Sequence, residues 1–197
     1  MLENTRVDIA RYFQIHSENG HATLNEKIRI LLTDACLHAV IDYRFHHWVQ
    51  KKIKITFFRK LVTALFLPFS FWYKSFRGIM IDYSANIGKG FFVGHSGGIL
   101  IGPIKIGENC SIAHNVTIGI GGRGTDRGLP EIGNNVWIGT LSVIFGKIKV
   151  GDNTTILSGT ILSKTIPNNV TVGGNPGRII MRGTTNDELL RGTNTYP

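Results

Sequence analysis

The sequence predicts a mainly β chain, a left-handed parallel β-helix that carries an N-terminal α-helical domain. Three observations predict it. Aliphatic residues recur every six positions in the second half, glycine is almost confined to that half, and the first 80 residues space their apolar side chains at helical period.

The helical part comes first. Only Gly20 and Gly78 fall within the first 80 residues, and the other 22 glycines follow. Glycine poverty with helical apolar spacing predicts helices over 4–15, 24–51 and 55–77, grouped as a domain of residues 1–79. Within the last helix, LVTALFLPFSFWY (61–73) is a 13-residue apolar run. Lys51, Lys52, Lys54, Arg59 and Lys60 precede it, and Lys74 and Arg77 follow. A spanning helix needs about 20 apolar residues, so this one is too short to cross a bilayer. Two readings stay open for 51–77: an interfacial contact with anionic lipid, or burial against the β-helix or a neighbouring subunit.

The repeat occupies residues 80–182. One series runs Ile87, Val93, Ile99 and, after a one-residue slip, a second runs Leu100, Ile106, Ile112, Ile118. A third runs Ile132, Ile138, Ile144, Val150, Ile156, Leu162 without a break. The following position is often small, as in Gly88, Gly94, Gly107, Gly133, Gly139 and Gly151. Three hexapeptides make one triangular coil, in which the aliphatic residue fills the axis and the small one permits the corner. Residues 119–131 (GIGGRGTDRGLPE) cannot continue the coil and are expected to project as a loop, the usual place for function on a rigid scaffold. From residue 183 the repeat is gone, and a short helix with a frayed end is expected from Thr184.

Register selects two imidazoles. His95 is the third residue of the hexapeptide beginning at Val93, and His114 the third of that beginning at Ile112. Three hexapeptides plus the slip separate them, so they are expected to stack one coil apart, about 5 Å along the backbone. Thr140 and Ser158 continue the column. Imidazole titrates near neutrality, which suits proton transfer.

These motifs resemble the serine acetyltransferase branch of the hexapeptide acyltransferases and, closer in pattern, the cell-surface polysaccharide O-acetyltransferases. The helical LHAVIDYRFHHW, then GHSGGILIG, IGENCSIAHNVTIG, the GGRGT loop, IGNNVWIG and VTVGGNPGRII all match in order over about residues 25–182. The resemblance implies that His95 is the general base for acetyl transfer from acetyl-CoA to a hydroxyl, with His114 as its partner in the site. It implies coenzyme contacts from Gly121, Gly122, Gly139, Thr140 and Gly159, and phosphate contacts from Lys164 and Arg178. It also implies a homotrimer with the coenzyme between subunits, and trimers paired through N-terminal helices.

The serine enzymes carry an Asp directly before the base, a second Asp about fifteen residues earlier, and a His after the loop. Here those positions read Gly94, Met80 and Leu129. The expected acceptor is therefore a sugar hydroxyl of a surface polysaccharide or its precursor. Serine O-acetylation and a non-catalytic hexapeptide scaffold stand as alternatives.

Charge and cysteine usage bound the rest. Net charge is +9, with 12 basic and 6 acidic residues in 1–80 against 10 and 7 in 81–197. No RNA-binding aromatic signature, zinc-finger spacing or basic heptad region accompanies it, so nucleic acid is not an expected partner. Five of the seven histidines lie in the helical part, which leaves the repeat short of the three ligands that a metal-dependent carbonic anhydrase of this fold class uses, and no metal is expected. Cys36 and Cys110 build no disulfide scaffold, and the opening MLENTRVDIARYF has charges where an export signal needs an apolar core. A cytoplasmic location, peripheral to the inner membrane if 51–77 touches lipid, is expected.

Overall fold

A computed structural model describes residues 2–17 and 20–186. Four helices, α1 (Leu2–Ile15), α2 (Leu24–Thr33), α3 (Ala35–Lys52) and α4 (Thr56–Arg77), precede a parallel β-helix of about five turns. The expected single helix over 24–51 is two. Asp34 ends α2 in extended geometry, and its carboxylate accepts from the Leu37 backbone N–H at 2.8 Å to cap α3. Apolar periodicity continues through a cap of this kind, so it could not show the break.

The coils stack strands into three sheets. The first holds β1 (Ile79–Ile81), β4 (Ile99–Ile101), β7 (Thr117–Gly119), β10 (Val143–Phe145) and β13 (Ile161–Leu162). The second holds β2 (Asn86–Ile87), β5 (Lys105–Ile106), β8 (Glu131–Ile132) and β11 (Lys149–Val150). The third holds β3 (Phe92–Val93), β6 (Ser111–Ile112), β9 (Trp137–Ile138), β12 (Thr155–Ile156) and β14 (Val170–Gly173), and β15 (Arg178–Arg182) folds back antiparallel on β14. The hexapeptide aliphatics fill the axis, from Ile87 and Val93 through Ile138 and Ile156 to Leu162, all buried. Each such side chain contributes about 1.5–3 kcal/mol by leaving water.

One position of the predicted series is displaced. Leu100 points outward at 44% exposure, while Ile99 and Ile101 on either side are buried. Period-two alternation in β4 puts Ile101, paired with Ile118, on the axis instead. The preceding corner is two residues longer than its counterpart in the next coil, and the corner after it is one shorter than in the coil before. The net slip of one hid both changes.

Corners between the second and third sheets place Asn109, Asn135, Asn153 and Asn169 in the left-handed region, at φ of 54–57°. Asparagine tolerates that conformation, and its amide ladders along the coils. Asn135 Nδ2 donates to Asn153 Oδ1 at 3.1 Å, and Asn153 Nδ2 to Asn169 Oδ1 at 3.0 Å.

The first coil would leave the edges of β2 and β3 unpaired, an opening that helices α1 and α3 close. Tyr43 Oη donates to the Ala85 carbonyl at 2.8 Å and accepts from the Ile87 N–H. Tyr12 Oη is set in the same way against Val93, accepting from its N–H at 3.0 Å. Arg44 donates to the Ile87 and Gly88 carbonyls and pairs with Asp8 at 2.8 Å, and Asp8 accepts from the Phe91 N–H. Arg11 reaches the Gly90 and Cys110 carbonyls and Ser111 Oγ. At the far end the buried Asn186 donates to the carbonyls of Asn135 and Thr154. Thr184 and Asn186 are not helical, and the rest of the expected tail helix lies outside the described residues.

Candidate active site

The corner between the third and first sheets is built by backbone need. Residues 94–98 form the enlarged turn, and Gly98 sits at φ +59°, where a Cβ would meet Asn115 Oδ1 at 2.1 Å. The glycine lets this turn lie flat on the coil beneath it, and His95 projects from it, exposed. The pairing Val93↔Ile112 carries forward to set His95 over His114. Their ring centroids are 5.8 Å apart at an interplanar angle of 71°. His114 is half-buried, and its Nδ1 is buried without a hydrogen-bond partner. A buried nitrogen without a protein partner is uncommon in a folded chain, and here it lies beside an exposed imidazole.

The column continues as the register requires. The pairings Ile112↔Ile138 and Ile138↔Ile156 bring Thr140 and then Ser158 into line behind His114. A Cβ on Gly139 would lie 2.6 Å from the Ser158 nitrogen, so only glycine lets these coils stack. Gly159 follows at φ +72°, with open space beside it. Arg178 is exposed and pairs with Gly173, at the end of the same edge. From the His95 coil to Gly173 is four strand spacings, about 19 Å, and Arg178 lies one strand further out. Apart from the two imidazoles, no residue of 94–98, 113–116, 139–142 or 157–160 carries an ionisable side chain.

The remaining predicted contacts lie at another corner, between the first and second sheets. There the segment between β7 and β8 projects, with a single 3-10 turn at Gly124–Asp126 and a bridge between Gly121 and Gly128. Gly121 packs so closely on Phe145 that a Cβ would meet its ring at 2.4 Å. Beside it is a cleft of about 470 Å³ whose lining includes Gly122, Arg123, Asp126, Lys147 and Lys164. Three cations against one carboxylate favour an anionic ligand. Within one chain the structure thus divides the predicted coenzyme contacts. Gly139, Thr140, Gly159 and Arg178 share the histidine edge, whereas Gly122 and Lys164 line the cationic cleft and Gly121 packs on Phe145 beside it. Sequence reasoning missed Arg123 and Lys147. Carrying the register Ile144↔Leu162 forward to the next corner would have put Lys147 against Thr165, the neighbour of Lys164.

Elsewhere, His46 packs inside the helical part, 2% exposed, with Nε2 3.1 Å from Ser70 Oγ and 3.3 Å from Asp42 Oδ1. Among the described residues, no group of three or more His, Cys, Asp or Glu is placed to hold a metal ion.

The chain is similar to the serine acetyltransferase of Synechococcus elongatus, at 30% identity over 175 residues that cover 88% of this chain and 68% of the relative. It is 34% identical to the Staphylococcus epidermidis serine acetyltransferase over 181 residues, covering 91% and 79%. Among solved structures, the Brucella abortus serine acetyltransferase in complex with coenzyme A superposes with a TM-score of 0.76 at 29% identity, covering 93% of this chain and 69% of that one. The Neisseria gonorrhoeae serine acetyltransferase in complex with serine gives 0.72 at 26%, covering 91% and 69%. No family model matches the chain.

Proposed function

The chain belongs to the serine acetyltransferase family of hexapeptide-repeat acyltransferases, and from that premise we propose that it transfers the acetyl group of acetyl-CoA to the hydroxyl of L-serine, with His95 as general base. The observation that carries acetyl transfer is the His95–His114 pair, stacked on a corner with no other ionisable side chain.

In this reading His95 takes the proton from the acceptor hydroxyl as its oxygen attacks the thioester carbonyl carbon. The C–S bond breaks, and the imidazolium returns the proton to the departing thiolate. His114 orients the hydroxyl. The extended edge from Thr140 to Arg178 suits the pantetheine arm and its phosphates. The cationic cleft suits the coenzyme of a neighbouring copy in the trimer that the family leads us to expect.

A second reading, acetylation of a sugar hydroxyl, is favoured by one observation. Gly94 stands where the serine enzymes have an acidic neighbour to the base, and the corner offers a zwitterion no charged partner of its own. A neutral sugar needs none. Thiol release from acetyl-CoA with L-serine, with an oligosaccharide and with neither separates the readings. Saturable, serine-dependent release supports the first. Release with oligosaccharide alone assigns the second, and release unaffected by any acceptor overturns both.

A further inference from the structure

We propose that the outer face of α4 docks on an anionic lipid surface. One side of this helix is packed. The Phe66 ring meets Phe45 at 4.3 Å between centroids, and the buried Ser70 donates to Asp42 at 2.6 Å. The opposite side is apolar where a surface helix of a soluble protein carries polar groups. Phe57, Leu61 and Leu65, spaced by four, are 70%, 47% and 71% exposed, and Phe58 and Phe71 flank them at 53% and 67%. A contiguous apolar strip of this kind marks an interaction surface.

Charge decides the occupant. Residues 43–81 contain eight Lys or Arg and no Asp or Glu. Lys51 and Lys52 at the end of α3, Lys54 in the link and Lys60 in the first turns of α4 are exposed, as is Arg77 at the end of α4. A second copy laid face to face on this strip would set cations against cations, with no carboxylate in the segment to relieve them. Anionic headgroups supply the opposite charge while acyl chains receive the phenyl and leucyl side chains. No helix of the described residues is long and apolar enough to cross a membrane, so α4 would lie along the surface.

Sedimentation of the full chain with vesicles tests this independently of catalysis. Binding to vesicles of equal parts phosphatidylglycerol and phosphatidylcholine is expected to exceed binding to phosphatidylcholine alone by about tenfold or more, and to fall as salt rises. Leu65→Glu and, separately, Lys54→Glu are expected to lower that binding several-fold with the oligomeric mass unchanged by light scattering. Both side chains are exposed, so the two variants check each other for folding. Absent binding, equal binding to both vesicle types, or native binding by both variants would overturn the proposal. So would a Leu65→Glu chain whose mass drops while its vesicle binding is unmoved, which would assign the strip to a second copy.

Discussion

The imidazoles of His95 and His114 stand edge to face, 5.8 Å between centroids, although 19 positions separate them in the chain. Parallel stacking of one coil on the next produces this contact, and it sets the two rings in different surroundings. His95 is exposed, while His114 has a buried Nδ1 with no partner in the protein.

That difference predicts a division of labour. His114→Ala is expected to raise the acceptor KM or lower kcat by about tenfold or more, as loss of a hydroxyl-orienting hydrogen bond does. Affinity for acetyl-CoA is expected to stay within a few-fold of native. Steady-state kinetics with titration calorimetry reads both, and an effect confined to coenzyme binding would contradict the assignment.

Gly94 is open to substitution, since a Cβ there comes no nearer than 3.6 Å, to Phe92 Cε1. Gly94→Asp places beside His95 the acid that the serine enzymes carry. It is expected to lower the KM for L-serine several-fold, because a carboxylate near the base can meet the substrate ammonium. An unchanged or raised KM for serine would show that this corner does not hold a zwitterion.

The solenoid end depends on one buried ion pair. Asp8 is buried, and desolvation lifts its carboxyl pKa although Arg44 pulls it down. Arg44→Ala removes the cation from that carboxyl, which keeps the Phe91 N–H, and takes the Arg44 donors from the Ile87 and Gly88 carbonyls. Denaturant unfolding is expected to show a loss of about 3–5 kcal/mol. Lys105→Ala, which removes an exposed pair with Glu131 at 3.4 Å, is expected to cost less than about 1 kcal/mol. Equal effects from the two substitutions would refute the capping role.

Both thiols are predicted to be inert in the folded chain. Burial pushes the Cys36 and Cys110 pKa values up to about 12, so thiolate is scarce at neutral pH. A disulfide reagent at neutral pH is expected to label neither until denaturant is added. Fast labelling of the native protein would contradict the burial of both.

The sequence shows the coils, the histidine column and the loop because each depends on a local period or on addition along it. It does not show what depends on contacts between distant segments. Tyr43 and Arg44 read as part of a family motif, and only the fold reveals that they satisfy the backbone of the first coil, about 42–44 positions away. The break at Asp34 is hidden because an N-cap leaves the apolar pattern intact. Leu100 is misplaced because an enlarged corner and a shortened one nearly cancel in the count. Arg123, Lys147 and Lys164 come from three separate stretches; the repeat register relates the two lysines, and only the fold brings Arg123 of the projecting loop to the same cleft.

The most direct test of the central claim is the initial rate of thiol release from acetyl-CoA by native protein and by His95→Ala, each with the acceptor that supports turnover. The account predicts a folded variant that binds acetyl-CoA within a few-fold of native and turns over about 10²–10⁴-fold more slowly, the scale of a lost general base. A well-folded His95→Ala protein with near-native turnover would contradict it.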